Sequence, residues 1–222
     1  MKRKFHVRCE AGENLEITSK SYLSLSDLAD LGTVMGNVYH TKEEMIDCVN
    51  AFYEGMVQRS EEMKRHPNYK TGENYAYLGL PPCFLIFDEY VAFFEMLGTK
   101  ESVGLLSQLK KIVMLGRQAG YFLIVACQRP DAKYFSDGIR DNFNFRVGLG
   151  RISELGYGML FGSDVKKQFF QKRIKGRGYC DVGTSVISEF YTPLVPKGHD
   201  FLQTIGRLAQ ERQVMPEQQE KE

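Results

Sequence analysis

The chain has almost no net charge. Lys and Arg number 29 against 28 Asp and Glu, leaving +1 over 222 residues. That excludes a global basic field for nucleic acid, so any DNA contact must come from a local patch or from a ring of subunits. No apolar run is long enough to span a bilayer. The basic start, Met1-Lys2-Arg3-Lys4-Phe5-His6, is followed by no apolar h-region, which argues against a signal peptide. Five cysteines (Cys9, Cys48, Cys83, Cys127, Cys180) are odd in number and widely spaced. They read as reduced core residues of a cytosolic protein, without zinc spacing. The four histidines pair with no cysteine or acid at ligand spacing. What remains is ordinary for a globular protein, 43% hydrophobic and 26% charged, with length for one large α/β domain or two small ones.

The most informative stretch present is Cys83-Phe84-Leu85-Ile86-Phe87-Asp88-Glu89. A short apolar run bounded by Pro81-Pro82 predicts a strand buried on both faces of a parallel sheet. Two acids where it stops would sit at the carboxyl end, where open α/β sheets place their ligands. That is the shape of a Walker B element. Asp88 would hold a magnesium ion and Glu89 would polarise a water that attacks a γ-phosphate. The bland alternative is a core strand followed by a solvated turn.

Around that strand the chain alternates. Phe5 to Cys9 and Leu15 to Thr18 alternate like strands and predict a hairpin through Gly12-Glu13-Asn14. A short helix or loop, Ser26 to Leu31, ends at Gly32. Thr41 and Glu44 form a capping box that opens a long amphipathic helix to about His66, with Met45, Cys48, Val49, Phe52 and Met56 at helical spacing. Asn68 to Leu80 is a polar surface connection. Tyr90 to Leu97 reads as a short helix. Thr99 to Arg117 reads as a long one, with Leu106, Leu109 and Val113 as its stripe and Leu105 and Ile112 widening it. Tyr121 to Cys127 and Phe143 to Leu149 read as strands, and Gly176 to Asp181 and Val186 to Tyr191 as two more joined through Gly183. Strands alternating with long helices imply a parallel sheet. From about Gln210 the chain is rich in Glu and Gln with little to bury, which predicts disorder.

If the strands ending at Asp88-Glu89 and at Gln128-Arg129-Pro130 are parallel neighbours, Gln128 and Glu89 emerge on one edge. An amide there can bond an attacking water or a γ-phosphate, a sensor role, where its bland role is a loop amide. Arg117, in Gly116-Arg117-Gln118-Ala119-Gly120, is favoured in a helix's last turn by the dipole alone. In a ring ATPase it would instead reach a neighbour's γ-phosphate as an arginine finger.

In order and spacing these residues resemble the FtsK/SpoIIIE family of DNA-pumping ATPases. The Walker B strand, Gly116 to Gly120, the apolar strand and Gln128-Arg129-Pro130 follow one another as in that family, with Ile139 to Val147 and Lys175-Gly176-Arg177-Gly178 after them. The stretches Ser26 to Leu31, Phe87 to Phe93, Ala126 to Tyr134 and Ile187 to Leu194 look like the FtsK-like proteins of Gram-positive integrative conjugative elements. The resemblance covers roughly residues 26–205. It implies an α/β fold, a RecA-like P-loop NTPase sheet with flanking helices, and a hexameric ring around double-stranded DNA. ATP and Mg2+ would lie at subunit interfaces, with Asp88 as metal ligand. It implies Asp88, Glu89, Gln128 and Arg117 as the catalytic set. Arg129, Lys133, Arg140 and Arg146, basic and near strand ends or loops, are the candidates for DNA, with a solvated or salt-bridged side chain as the other reading. It also implies a relaxase or other conjugation machinery as partner, and a cytoplasmic place reaching the membrane through a full-length parent or partner.

One departure matters. Gly-x-x-x-x-Gly-Lys-Ser/Thr is missing; the nearest string, Gly12 to Lys20-Ser21, has the wrong spacing. Without those glycines the backbone cannot close around phosphates, and without the lysine their charge has no fixed counter-cation. The expected layout is residues 1–25 as a remodelled segment, 26–205 as the Walker B half of a motor domain lacking the P-loop strand, and 206–222 as a disordered tail. A truncated chain is the favoured explanation. A degenerate paralogue that docks into a ring without turnover, or a P-loop from a separate chain, are the others. Another additional-strand ATPase, such as a HerA-like or type IV secretion coupling protein, fits Gln128-Arg129-Pro130 less well.

Overall fold

In a computed structural model, the described residues are 5–8, 38–128, 130, 133–135, 137–150, 152–162, 165, 176–184 and 186–214. The first long element is helix α1 (Lys42–Arg65). Its capping box forms as the sequence predicts: the Glu44 N–H donates to Thr41 Oγ1 and the Thr41 N–H donates to the Glu44 carboxylate at 3.3 Å. The Thr41 hydroxyl, bonded to Glu44, holds that carboxyl below its ordinary value. Pro67 disfavours helical backbone at His66, where α1 stops. The stripe Met45, Cys48, Val49, Phe52, Met56 is buried, and Met63 extends it.

Strand β3 (Cys83–Asp88) follows the predicted apolar run, and β4 (Tyr121–Val125) follows the next. They pair parallel from Cys83↔Tyr121 to Phe87↔Val125. Between them the chain makes α2 (Tyr90–Glu95) and α3 (Thr99–Ala119). The buried stripe of α3 is Leu105, Leu109, Ile112, Gly116 and Ala119, rotated from the expected Leu106–Leu109–Val113 face; Leu106 and Val113 are half-buried. The rotation follows from Gly116. A Cβ there would stand 2.3 Å from the Tyr121 carbonyl oxygen, so the helix end approaches β4 along its glycine side. Gly120 then turns the chain into β4 in the left-handed region, φ 77°.

Among the described residues the beginning of the chain contributes one strand. Strand β1 (Phe5–Arg8) lies inside the sheet, parallel to β3 with Phe5↔Leu85 and Arg8↔Asp88, and parallel to β2 (Val38–Tyr39) on its other edge. The order is β2-β1-β3-β4. Both edges of β1 are therefore filled, and alternation alone could not reveal that its partners are distant and parallel. The expected hairpin partner, Leu15 to Thr18, and the helix or loop at Ser26 to Leu31 lie outside the described residues.

The last strands form a second sheet. β5 (Arg146–Leu149), β6 (Arg177–Asp181) and β7 (Ile187–Tyr191) run antiparallel in that order. The expected join through Gly183 holds, while β5 starts three residues after Phe143. Between β4 and β5 lies α4 (Asp137–Arg140). Helix α5 (Glu154–Phe161), capped by the Ser153 hydroxyl, packs Tyr157 and Phe161 with Tyr179 and Ile187. Helix α6 (Phe201–Val214) carries through residues 206–214, where disorder was expected. Asp200 caps it, accepting from the Gln203 N–H at 2.9 Å, and Phe201, Leu202 and Ile205 make a half-buried stripe.

Leu85, Phe87 and Cys83 of β3 join the α1 and α3 stripes in one core. Phe52 is 0% exposed, with its ring edge-on to Tyr121 at 4.8 Å. Phe52→Ala is expected to cost about 3–5 kcal/mol, as buried aromatic truncations do. Chemical denaturation measures it, and an unchanged midpoint would remove α1 from the core.

Candidate functional site

Parallel pairing brings the carboxyl ends of β3 and β4 to one edge, so Asp88, Glu89 and Gln128 meet there. The ladder continues past the strands: the Ala126 N–H donates to Phe87 O at 2.8 Å and the Tyr90 N–H donates to Ala126 O at 3.1 Å. Those bonds hold the two strand ends side by side. Gln128 Nε2 donates to Glu89 Oε1 at 3.4 Å, a contact within range but loose. Asp88 is half-buried, and its Oδ1 accepts the Glu89 N–H at 3.2 Å. Its other carboxylate oxygen is the kind of hard donor that magnesium takes.

Glu89 adopts φ 49° and ψ 46°, and is the one non-glycine residue with positive φ among the described residues. A side chain in that region costs on the order of 1–2 kcal/mol. The turn is what ends β3 abruptly and starts α2 within one residue, leaving the carboxylate facing Gln128. Tyr90, next in the chain, is 1% exposed and packs its ring 4.7 Å from Phe135. Burial pushes its hydroxyl far up, so it stays a neutral donor, 3.4 Å from Tyr134 O. The loop after Gln128 is thereby tied to the helix after Glu89.

On the other side of Gln128 a cleft of about 570 Å³ opens between the end of β4 and β5, lined among others by Val125, Cys127, Arg140, Val147 and Leu149. The Asp88–Glu89–Gln128 edge thus has open space beside it.

A comparison with solved structures gives the conjugation coupling protein TcpA of pCW3, in its monomer form with ATPγS, at TM-score 0.60. Identity is 14%, over 92% of this chain and 56% of that one. EssC ATPases 2 and 3 from Geobacillus thermodenitrificans give 0.57 at 14% identity, over 95% of this chain and 37% of that one. These likenesses show the fold alone, a RecA-like ATPase domain. Among curated proteins the FtsK domain-containing protein YdcQ of Bacillus subtilis (strain 168) is 56% identical over 181 residues. The chain belongs to the FtsK-like family. It covers 38% of the length of YdcQ, with 81% of its own residues in the match. No family model matches the chain.

Within this FtsK-like domain Arg117 stands apart from the three edge residues. It lies exposed in the last turn of α3, just before β4 begins, and so at the amino end of the strands. An arginine placed there cannot serve the carboxylates of its own chain.

The four basic candidates divide. Arg146 is turned inward: it pairs with Asp181 at 2.6 Å and donates to Leu160 O at 3.2 Å. Asp181 is 4% exposed and also accepts the Gly183 N–H. This pair of a buried carboxylate and a part-buried guanidinium holds β5 to β6, the salt-bridged alternative to a DNA contact at Arg146. Lys133 Nζ meets the Tyr134 hydroxyl at 2.9 Å, and Arg140 Nε meets Asp141 at 3.4 Å. Arg140 lines the same cleft as Gln128. Arg129 lies outside the described residues.

Sequence reasoning missed Arg59. Its guanidinium donates to Pro81 O at 2.8 Å and Ala119 O at 3.4 Å, and stacks 4.8 Å over the Tyr121 ring. It clamps the amino ends of β3 and β4, opposite the site. At helical spacing it looks like any exposed cation of α1, so no local signal could mark it.

Strain at Glu89 has a measurable sign. Glu89→Gly is expected to be more stable than Glu89→Ala by about 1 kcal/mol, because only glycine takes positive φ without a Cβ penalty. Thermal unfolding of the two variants decides; the reverse order would mean the turn is unstrained.

Proposed function

We propose that this chain supplies the Walker B side of an ATP-driven double-stranded DNA translocase, working in conjugative transfer or segregation of DNA. The observation that carries the reading is the meeting of Asp88, Glu89 and Gln128 at one carboxyl edge, with Glu89 3.4 Å from the Gln128 amide. Bound MgATP would supply the phosphoanhydride whose hydrolysis drives movement. Asp88 fits as the magnesium ligand, since one of its oxygens is left by the backbone bond to Glu89. Glu89 would orient and polarise the attacking water, and Gln128 would bond that water or the γ-phosphate. The loose Gln128–Glu89 contact lets the amide exchange partners as the phosphate comes and goes. The pinned loop beyond Gln128, on Tyr90 and Phe135, would carry that change to Lys133.

Arg117 would act in trans. Exposed at the far edge of the sheet, it would serve a neighbouring subunit's site across a ring interface, which favours self-association or association with a full-length motor. The similarity of the fold to a conjugation coupling protein supports the setting in DNA transfer, with a relaxase or other conjugation component as partner. Arg140 and Lys133, with Arg129, are the basic residues proposed for DNA. A second reading, an ATPase-derived subunit that docks into a motor ring without turnover, is favoured by the absence of a Gly-x-x-x-x-Gly-Lys-Ser/Thr string from these 222 residues.

Calorimetry with Mg-ATPγS, at concentrations that catch millimolar affinity, separates the two. The translocase reading expects binding that Asp88→Asn weakens about tenfold or more. No binding, by the chain alone or joined to the remainder of an FtsK-like domain, assigns the docking role. Arg117→Ala is expected to leave the melting temperature unchanged and to abolish hydrolysis only in an assembled ring.

A further inference from the structure

The ladder between β3 and β4 slips by one residue at the site. In a parallel pair the bonds are evenly spaced, and every second residue of a strand both donates to and accepts from the same neighbour. Phe87 O accepts from the Ala126 N–H at 2.8 Å. Continued in register from Phe87↔Val125, Ala126 O would accept from the Glu89 N–H. It accepts from the Tyr90 N–H instead, at 3.1 Å. The Glu89 N–H turns back to Asp88 Oδ1 at 3.2 Å. Glu89 is thereby extruded from the ladder, at φ 49°. A bulge of this kind re-aims a side chain, and here the Glu89 carboxylate comes to lie 3.4 Å from Gln128 Nε2.

A non-glycine residue keeps such a backbone only where its surroundings over-determine it. The anchor here is the next residue. Tyr90 is 1% exposed. Its ring meets three elements: Phe87 of β3 at 5.4 Å, Phe94 of α2 at 4.8 Å, and Phe135 in the chain after Gln128 at 4.7 Å. Its hydroxyl adds a long contact to Tyr134 O at 3.4 Å. Phe94 repeats the link, with its ring 5.6 Å from that of Tyr134. Tyr134 and Phe135 are both buried. Tyr90 thus follows Glu89 in the chain, bonds Ala126 just before Gln128, and packs on Phe135 beyond it. One residue is tied to both members of the pair.

We propose that Tyr90 is a positioning residue for the Glu89–Gln128 pair. Its N–H takes the ladder bond that Glu89 would otherwise make, and its ring, seated on Phe94 and Phe135, keeps Glu89 extruded toward the amide. Without that ring the ladder returns to register: the Glu89 N–H bonds Ala126 O, and the carboxylate leaves Gln128. Tyr90 acts through its neighbours and touches no reacting atom. That the pair serves attack of water on a γ-phosphate rests on the translocase reading; the positioning rests on the ladder and the ring.

The test is NMR of the full chain without nucleotide, reading the side-chain amide signal of Gln128, assigned by its disappearance in Gln128→Ala. Glu89→Gln is expected to shift that signal, because the amide donates to the Glu89 carboxylate. In a Tyr90→Leu background the same Glu89→Gln change is expected to leave it unmoved. If Tyr90→Leu does not fold, Phe135→Leu removes the facing ring and is expected to abolish the response in the same way. Phe93 is the control for burial alone. It is 0% exposed, and its ring packs on Phe87 at 5.1 Å and Phe94 at 5.3 Å. Phe93→Leu is expected to lower the melting temperature and keep the response. The proposal is overturned if the folded Tyr90→Leu or Phe135→Leu chain keeps the response, if Phe93→Leu loses it as well, or if Glu89→Gln shifts nothing in the parent chain. Because the signal is read without nucleotide, a failure to bind Mg-ATPγS would overturn the translocase reading and leave the positioning standing.

Discussion

A parallel strand pair ends both of its strands at the same edge, and almost everything about the candidate site depends on that property of β3 and β4. Five register pairs, Cys83↔Tyr121 to Phe87↔Val125, align the two strands. Had they run antiparallel, Gln128 would lie by Cys83 and far from Glu89. The chain secures the pairing at both ends. At the amino end Arg59 bonds the carbonyls just before each strand. The Cys83 N–H also donates to Gly120 O at 2.7 Å. At the carboxyl end the ladder runs on through Ala126 and Tyr90. Gly116 lets α3 approach closely enough that the crossover from β3 returns beside it.

The two faces of this sheet have unequal histories of burial. Cys83, Leu85 and Phe87 sit in a core with the stripes of α1 and α3, which provides the hydrophobic driving force for the domain. Phe84, Ile86, Phe122 and Ile124 alternate onto the other face and remain partly exposed. Strain collects at the same edge as the carboxylates, at Glu89, where one residue must turn a strand into a helix. A packed core thus lies behind this edge, and the strained acid stands in front of it.

Much of this was legible in the chain. The Thr41–Glu44 box and the spacing from Met45 to Met56 announced α1, because caps and helical periodicity are local. The apolar runs before Asp88-Glu89 and Gln128 announced β3 and β4, and the α3 pattern between them implied that they run parallel, while their being neighbours stayed a condition. The FtsK-like resemblance rested on those same segments. The misses were non-local. The alternation of Phe5-His6-Val7-Arg8 marks a strand equally well in a hairpin or between two distant parallel partners. Arg146 looks like a surface cation until Asp181, 35 residues on, is brought against it. The rotation of the α3 stripe came from one glycine's contact with the next strand. The helix over residues 206–214 was missed because a segment rich in Glu and Gln reads as having little to bury.

The sequence by itself determined the helix and strand identities around the site, the two acids that end β3, the amide that follows β4, and the lack of a phosphate loop. Each is a property of residues close in the chain, where periodicity, caps and turns act. Tertiary structure alone decided which strands are neighbours, that Glu89 takes a left-handed turn toward Gln128, that Arg117 stands at the opposite edge, and that Arg146 is buried in an ion pair. These follow from packing between segments far apart in sequence, and such contacts leave no periodic mark in either partner.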